Sequence, residues 1–229
     1  MISPYWVDEQ GLVTLYCGDS RGILPELEPV DCIITDPVWP NSSPRLVGAD
    51  RPAELFTEVA RYFPRLAARA VIQLGCDSDP RFLQGMPAEM PYFRTCWLEY
   101  ACPTRKGRVL YSGDVAYVFG TPPPSIPGRR VISGRMISTR PDVIRRNVTA
   151  HKEWGRPVEG AHPTPRRYEH VAWLVGKFAN GTVLDPFAGS GTTLLAAKAG
   201  GYKSIGIEIS QDFCDMAIAR LHQGVLVPC

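Results

Sequence analysis

Residues 182–199, TVLDPFAGSGTTLLAAKA, compress a short apolar strand, a glycine turn and a helix into eighteen positions. The pattern predicts a strand over 182–184 and a helix over 191–199, opened by Gly189 and Ser190. Glycines at 189 and 191 permit a tight turn and let backbone approach a ligand closely. A further strand is expected at 204–207 and ends at the acid Glu208. Strand, crossover helix and strand is the unit from which parallel sheets are built, so this stretch restricts the chain to an α/β architecture.

The rest of the chain repeats the unit. Strands are expected at 12–15, 31–35, 70–74, 97–101 and 115–119, with a short helix from about Ser20 and an amphipathic one over 53–63 that Pro64 kinks or ends. Residues 40–52 have loop composition, and the basic turn TRKGR separates the strands at 97–101 and 115–119. TPPPSIPGRR, from Thr121, fits neither a helix nor a central strand because its prolines remove donors. Residues 131–154 read as a loop-dominated, arginine-rich insertion, after which helices at 166–178 and 211–221 flank the last strands. The expected fold is α/β, a doubly wound, mostly parallel seven-stranded sheet with a short basic insertion. In such sheets ligands bind at the carboxyl ends of strands where strand order reverses. Asp19, Asp36, Asp185 and Glu208 each fall at the end of an expected strand, four acids that would line one crevice.

Bulk properties exclude several classes. At 229 residues, 45% hydrophobic and 21% charged, the chain has an ordinary globular composition and length enough for a sizeable core. Apolar runs such as 171–175 are far too short to span a bilayer. The N-terminus MISPYWVDEQ lacks a signal-peptide pattern. Seven scattered cysteines, with no C-x-x-C pair, point to reduced thiols in the cytoplasm and to no metal site; Cys32 and Cys214 sit in apolar patterns as core residues. Charge is unevenly spread. Residues 103–167 hold thirteen basic and four acidic side chains in a chain of net charge +2, so a basic segment is set in an acidic scaffold. A polyanion contact on one face is the functional reading of that asymmetry.

Two segments carry chemistry. DPFAGSGTT at 185–193 lacks G-K-[ST], against a phosphate-binding loop, and lacks G-x-G-x-x-G, against a dinucleotide site. Glu208, some twenty residues on, has the spacing of a carboxylate that accepts both hydroxyls of a ribose. The second segment, DPVWP at 36–40, places a carboxylate, a proline carbonyl and an indole at a strand end. An exocyclic amino group on a base is a poor nucleophile because its lone pair is delocalised into the ring. A carboxylate (Asp36) and a carbonyl (Pro37) that accept its two hydrogens push the nitrogen toward sp³, and Trp39 offers a stacking face. Unstacking a base takes a few kcal/mol, part of which such stacking returns. An Asp-Pro at a strand end is commonly only a turn; its pairing with the glycine turn gives it weight.

GDSRGILPELEPVDCIITDPVWP, HPTPRRYEHVAWLV, DPFAGSGTT and SIGIEISQDFCDMAIARL, in that order, resemble the amino-methylating DNA methyltransferases that modify adenine N6 or cytosine N4. The resemblance is to the permuted group in which the DPPY-type tetrapeptide precedes the F-x-G-x-G motif. It implies a Rossmann-like methyltransferase fold, S-adenosylmethionine as cofactor, double-stranded DNA as substrate and, since dimers are common in this group, a homodimer. It also implies a division into a catalytic half (1–120), a target-recognition insertion (121–160) and a cofactor-binding half (161–229). Carried over residue by residue, the catalytic set is Asp36, Pro37, Val38 and Trp39. The cofactor set is Asp19 near the adenine, His162 and Thr164 closing over it, Asp185, Phe187, Gly189, Ser190, Gly191, Thr192 and Thr193 around the methionine end, and Glu208 with Ile209 at the ribose. Arg105, Lys106, Arg129, Arg130, Arg145 and Arg146 are the expected DNA contacts, whose replacement should flatten the salt dependence of binding.

The chain departs from the family pattern in two motifs, and its recognition insertion, roughly residues 121–160, is also short, which implies a short target sequence or help from a second subunit. Val38 stands where a second proline is usual, which removes rigidity but no catalytic group, because Pro37 supplies the carbonyl. Arg166-Arg167 replaces the usual Lys-Pro after the HPT motif, so contacts there differ. Asp at the first catalytic position favours adenine over cytosine. The rival class is a catalytically silent cofactor- or DNA-binding protein, motivated by Val38. A third reading keeps the enzyme but moves its substrate to RNA or a glutamine amide.

Overall fold

A computed structural model describes residues 2–123, 125, 134–138 and 166–223. The elements run β1 (Trp6–Val7), β2 (Val13–Cys17), α1 (Ser20–Ile23), β3 (Cys32–Thr35), α2 (Pro52–Ala60), α3 (Phe63–Leu66), β4 (Arg69–Gly75), β5 (Tyr92–Lys106), β6 (Val109–Gly120), β7 (Arg135–Ile137), α4 (Tyr168–Phe178), β8 (Val183–Asp185), α5 (Thr192–Ala199), β9 (Ser204–Glu208) and α6 (Gln211–Gln223).

The strands form one sheet in the order β1-β2-β9-β8-β3-β4-β6-β5-β7. Five neighbours, from β2 to β4, are parallel, and β6 then runs antiparallel to both β4 and β5. Seven strands were expected, and among the described residues nine are present. The additions, β1 and β7, are two and three residues long, too short to leave a periodic signal, and both pair at the sheet's edges. β7 lies within the stretch expected to be loop-dominated, and pairing with β5 at Trp97, Leu98 and Glu99 makes it a strand.

Strand alternation divides the core in two. Ile33, Ala70, Ile72 and Leu74 point toward α1, α2 and α3, where Ile23, Phe56, Val59, Phe63 and Leu66 cover them. Cys32, Ile34 and Val71 point the other way, toward Leu174, Val175 and Phe178 of α4 and Ala196 and Ala197 of α5. Successive residues of β3 and β4 thus serve opposite faces, the period-two geometry of a strand buried on both sides. A third cluster joins Cys214, Ala217 and Leu221 of α6 to Val13 and Leu15 of β2. Cys32 and Cys214 are buried free thiols, as their apolar surroundings suggested.

Pro64 does not simply end the helix before it. α2 stops at Ala60, and Pro64 falls in the first turn of α3, where its missing N–H leaves no bond unmade. The two strands expected at 97–101 and 115–119 are the inner parts of a much longer hairpin, β5–β6, which turns at Gly107 with φ 61°. Among the described residues no helix is long and apolar enough to cross a membrane.

From β3 the chain moves through α2 and α3 to β4 on one side, whereas from β8 it moves through α5 to β9 on the other. Strand order therefore reverses between β8 and β3, and an open crevice forms beyond their carboxyl ends.

Candidate active site

A cavity of about 570 Å³ occupies that crevice, and all four strand-end acids, Asp19, Asp36, Asp185 and Glu208, line it. Pro37, Val38, Trp39, Phe187, Gly189, Ser190, Thr192, Thr193 and Ile209 line it too, with Ile209 44% exposed at its rim.

The wall nearest β8 is the glycine turn. Gly189 and Gly191 have φ of 50° and 77°, in the left-handed region. A side chain at Gly191 would also sit 2.8 Å from the Ala217 Cβ of α6, so the turn needs glycine for both conformation and space. Glu208 braces it. Its Oε2 accepts the Gly189 N–H at 2.8 Å and its Oε1 the Ser210 N–H at 2.8 Å, and each oxygen keeps a lone pair for a ligand. Burial pushes the Glu208 carboxyl up, opposed by these backbone bonds.

Asp185 is spent differently from its neighbours. Its Oδ1 accepts from the Thr35 hydroxyl at 2.7 Å and from the Phe187 N–H at 3.0 Å, and burial raises its pKa. Behind the turn, Arg220 of α6 donates through Nη1 to Ser190 O at 2.6 Å, Ser190 Oγ at 2.8 Å and Thr192 Oγ1 at 3.2 Å. Those two side chains, expected at the cofactor, are held by a guanidinium that no sequence motif announces.

Asp19 caps α1 by accepting the Arg21 N–H at 2.9 Å, and the Arg21 guanidinium grips both its oxygens while reaching Glu58 at 2.7 Å. These bonds to Arg21 pull the Asp19 pKa down. Ser20 Oγ donates to Pro186 O at 2.5 Å and joins the start of α1 to the segment after β8.

The most unusual geometry surrounds Asp36. Arg166 Nε donates to its Oδ2 at 2.6 Å and Nη2 to its Oδ1 at 2.8 Å, a two-pronged pair, while Nη1 reaches Asp114 Oδ1 at 3.1 Å. The guanidinium carbon lies 4.3 Å from the centre of the Trp39 ring, so Arg166 covers one face of a buried indole. Exposure of the Arg166, Asp36 and Asp114 side chains is 11%, 21% and 6%. Burial pushes Asp36 up to about 6, although Arg166 opposes the rise; Asp114 and Asp185 add to it. Asp114 also accepts from the Tyr100 hydroxyl at 2.8 Å and from Gln73 Nε2 at 3.4 Å. His170, stacked on Tyr100, bonds through Nε2 to Glu99 O at 3.1 Å, and burial lowers its pKa. Asp114, Gln73, Tyr100 and His170 went unnoticed in the sequence, although an acid inside the apolar strand SGDVAYVF is itself a signal of a buried partner.

Arg105 is exposed on the β5–β6 hairpin. The Lys106 side chain and His162, Thr164, Arg129, Arg130, Arg145 and Arg146 lie outside the described residues.

A doubly wound sheet with a glycine turn and strand-end acids around one crevice is a Rossmann-like α/β fold with its ligand site at the switch point. Two solved structures share this fold: the complex of M1.HpyAVI with S-adenosylmethionine (TM-score 0.65, 22% identity, covering 91% of this chain and 98% of that one) and the cytosine-N4-specific PvuII DNA methyltransferase (TM-score 0.68, 18% identity, covering 94% and 87%). Residues 137–219 match the model of a family described as DNA methylase. Over 43 residues the chain is 54% identical to the type II methyltransferase M.ScaI of Streptomyces caespitosus, a stretch that makes up 19% of this chain and 14% of that relative, so it spans only a small part of the relative's length. Over those matched segments the chain is similar to DNA methyltransferases.

Proposed function

We propose that the protein transfers a methyl group from S-adenosylmethionine to the N6 amino group of adenine within a short sequence of double-stranded DNA. The observation that carries this reading is the meeting of Asp36 and the glycine turn in one cavity. They come from segments about 150 residues apart in the chain, and the reaction needs them side by side.

The chain's residues fit the cofactor. A cavity of about 570 Å³ lies in the usual range for a ligand of this size. The free lone pairs of Glu208 suit a ribose diol, the glycine turn suits close backbone contact, and an acid-lined crevice suits a sulfonium and an ammonium, both cationic. When bound, S-adenosylmethionine supplies an electrophilic methyl group. Asp36 and the Pro37 carbonyl would accept the two amino hydrogens of the base and free its nitrogen lone pair for attack. In this reading residues 1–120 form the catalytic half, 161–229 the cofactor half, and 121–160 the target-recognition insertion, whose arginines would hold phosphates. A homodimer would bring a second basic segment to the same duplex.

The test is methyl transfer from labelled S-adenosylmethionine to unmethylated genomic DNA, read by nucleoside mass spectrometry. N6-methyladenine that disappears in Asp36→Ala supports the reading. N4-methylcytosine would keep the mechanism and change the base. No product on DNA, with cofactor binding intact, would favour RNA or a silent binding protein.

A further inference from the structure

The network around Asp36 has more parts than methyl transfer requires. Asp36 needs only to be ionised and aimed, yet the fold places a second buried carboxylate, Asp114 of β6, on the far side of Arg166. Two carboxylates so close disfavour each other's ionisation unless a cation lies between them. Asp185, at the end of β8, adds a third negative charge in the same field. Among the described residues, Arg166 is the cation bonded to both Asp36 and Asp114.

We propose that Arg166 is a positioning residue: its guanidinium, anchored on Asp114 and laid against Trp39, holds the Asp36 carboxylate ionised and in one orientation for the incoming amino group. This rests on the function proposed above. The shape of the side chain decides the matter. A guanidinium presents a planar fork, so Nε and Nη2 take the two oxygens of Asp36 while Nη1 points to Asp114. A lysine ammonium is a point charge and cannot meet both oxygens edge-on while keeping a third bond. The Trp39 face fixes the plane of the fork, and Tyr100 and Gln73, both donating to Asp114, hold the anchor still. His170, on α4, faces the same carboxylate at 3.9 Å and is kept neutral by burial, so it adds little charge of its own. A bidentate pair uses one lone pair on each Asp36 oxygen, and the others remain for an amino hydrogen.

The experiment follows the Asp36 carboxyl carbon by NMR in protein labelled at aspartate, with Asp36→Asn identifying the signal. It needs no DNA, so it separates this proposal from the proposed function. The wild-type signal should titrate near pH 6. In Arg166→Gln the midpoint should move up by about 1–3 pH units, the usual influence of an adjacent arginine on a carboxylate. Arg166→Lys should leave the midpoint within about one unit of wild type, because the charge remains. In the methylation assay the same lysine variant should lose roughly tenfold or more in kcat, because the fork is gone. An unmoved midpoint in Arg166→Gln overturns the proposal. Should that variant fail to fold, Arg166→Lys carries the test through its rate: full activity would show that the fork aims nothing.

Discussion

The Thr35 hydroxyl donates to the Asp185 carboxylate at 2.7 Å, and this one bond ties the end of β3 to the end of β8 at the point where strand order reverses. It therefore joins the segment that bears Asp36 to the segment that bears the glycine turn. In Thr35→Val the shape is nearly kept but a buried carboxylate loses a donor, which should destabilise the fold by about 1–3 kcal/mol. Urea unfolding, with the midpoint lowered and the slope unchanged, is the check. A midpoint equal to wild type would mean that the bond contributes nothing.

Gly191 leaves no room for a side chain in the turn. Gly191→Ala combines a left-handed φ of 77° with a Cβ 2.8 Å from that of Ala217. The backbone alone accounts for about 1–2 kcal/mol of strain, and overpacking against α6 adds on the order of 1–3 kcal/mol. Calorimetric titration with S-adenosylmethionine should find binding weakened or absent, and the melting temperature should fall as well.

Arg220 ties α6 to the turn through three bonds, two to Ser190 and one to Thr192. Arg220→Met keeps much of the aliphatic bulk and removes those bonds. Cofactor affinity should drop by roughly tenfold, on the order of one lost charge-assisted hydrogen bond, while far-ultraviolet circular dichroism stays native. Unaltered affinity would make Arg220 a packing residue only.

The pH profile should report Asp36. Its folded pKa, pushed up to about 6 chiefly by burial, lies above the ordinary carboxylate value, so the group takes up a proton as pH falls through 6. A protonated carboxyl no longer accepts both an amino hydrogen and the guanidinium fork. kcat/KM should therefore fall about tenfold per pH unit below that point. For stability the sign is opposite: the folded state binds the proton more tightly than the unfolded chain, so this group's contribution is present at low pH and lost as pH rises through 6. A rate that stays flat down to pH 5 would remove Asp36 from the chemistry.

Much was legible in the chain because it is local. A turn that must adopt left-handed φ demands glycine wherever it occurs, so GSG between an apolar strand and a helix announced itself, and Gly189 and Gly191 bear the positive φ values expected of it. Acids that follow strand ends are likewise a property of neighbouring residues, and Asp19, Asp36, Asp185 and Glu208 do line one cavity. The edge strands β1 and β7 were not legible, since two or three residues carry no period and take their conformation from the strand beside them. Nor was the use of Ser190, Thr192 and Asp185, whose side chains fit a ligand-binding motif but are engaged by Arg220, Thr35 and the backbone.

The sequence by itself therefore determined the α/β class, the glycine turn and the set of strand-end acids, because each follows from backbone preference and periodicity within a few residues. Only the tertiary structure decided what surrounds Asp36. Arg166 lies 130 positions away from Asp36 and 52 from Asp114. Charge attraction between them is not written in any local pattern. It arises once the sheet has brought β3, β6 and the residues before α4 together and removed the water that would otherwise screen them.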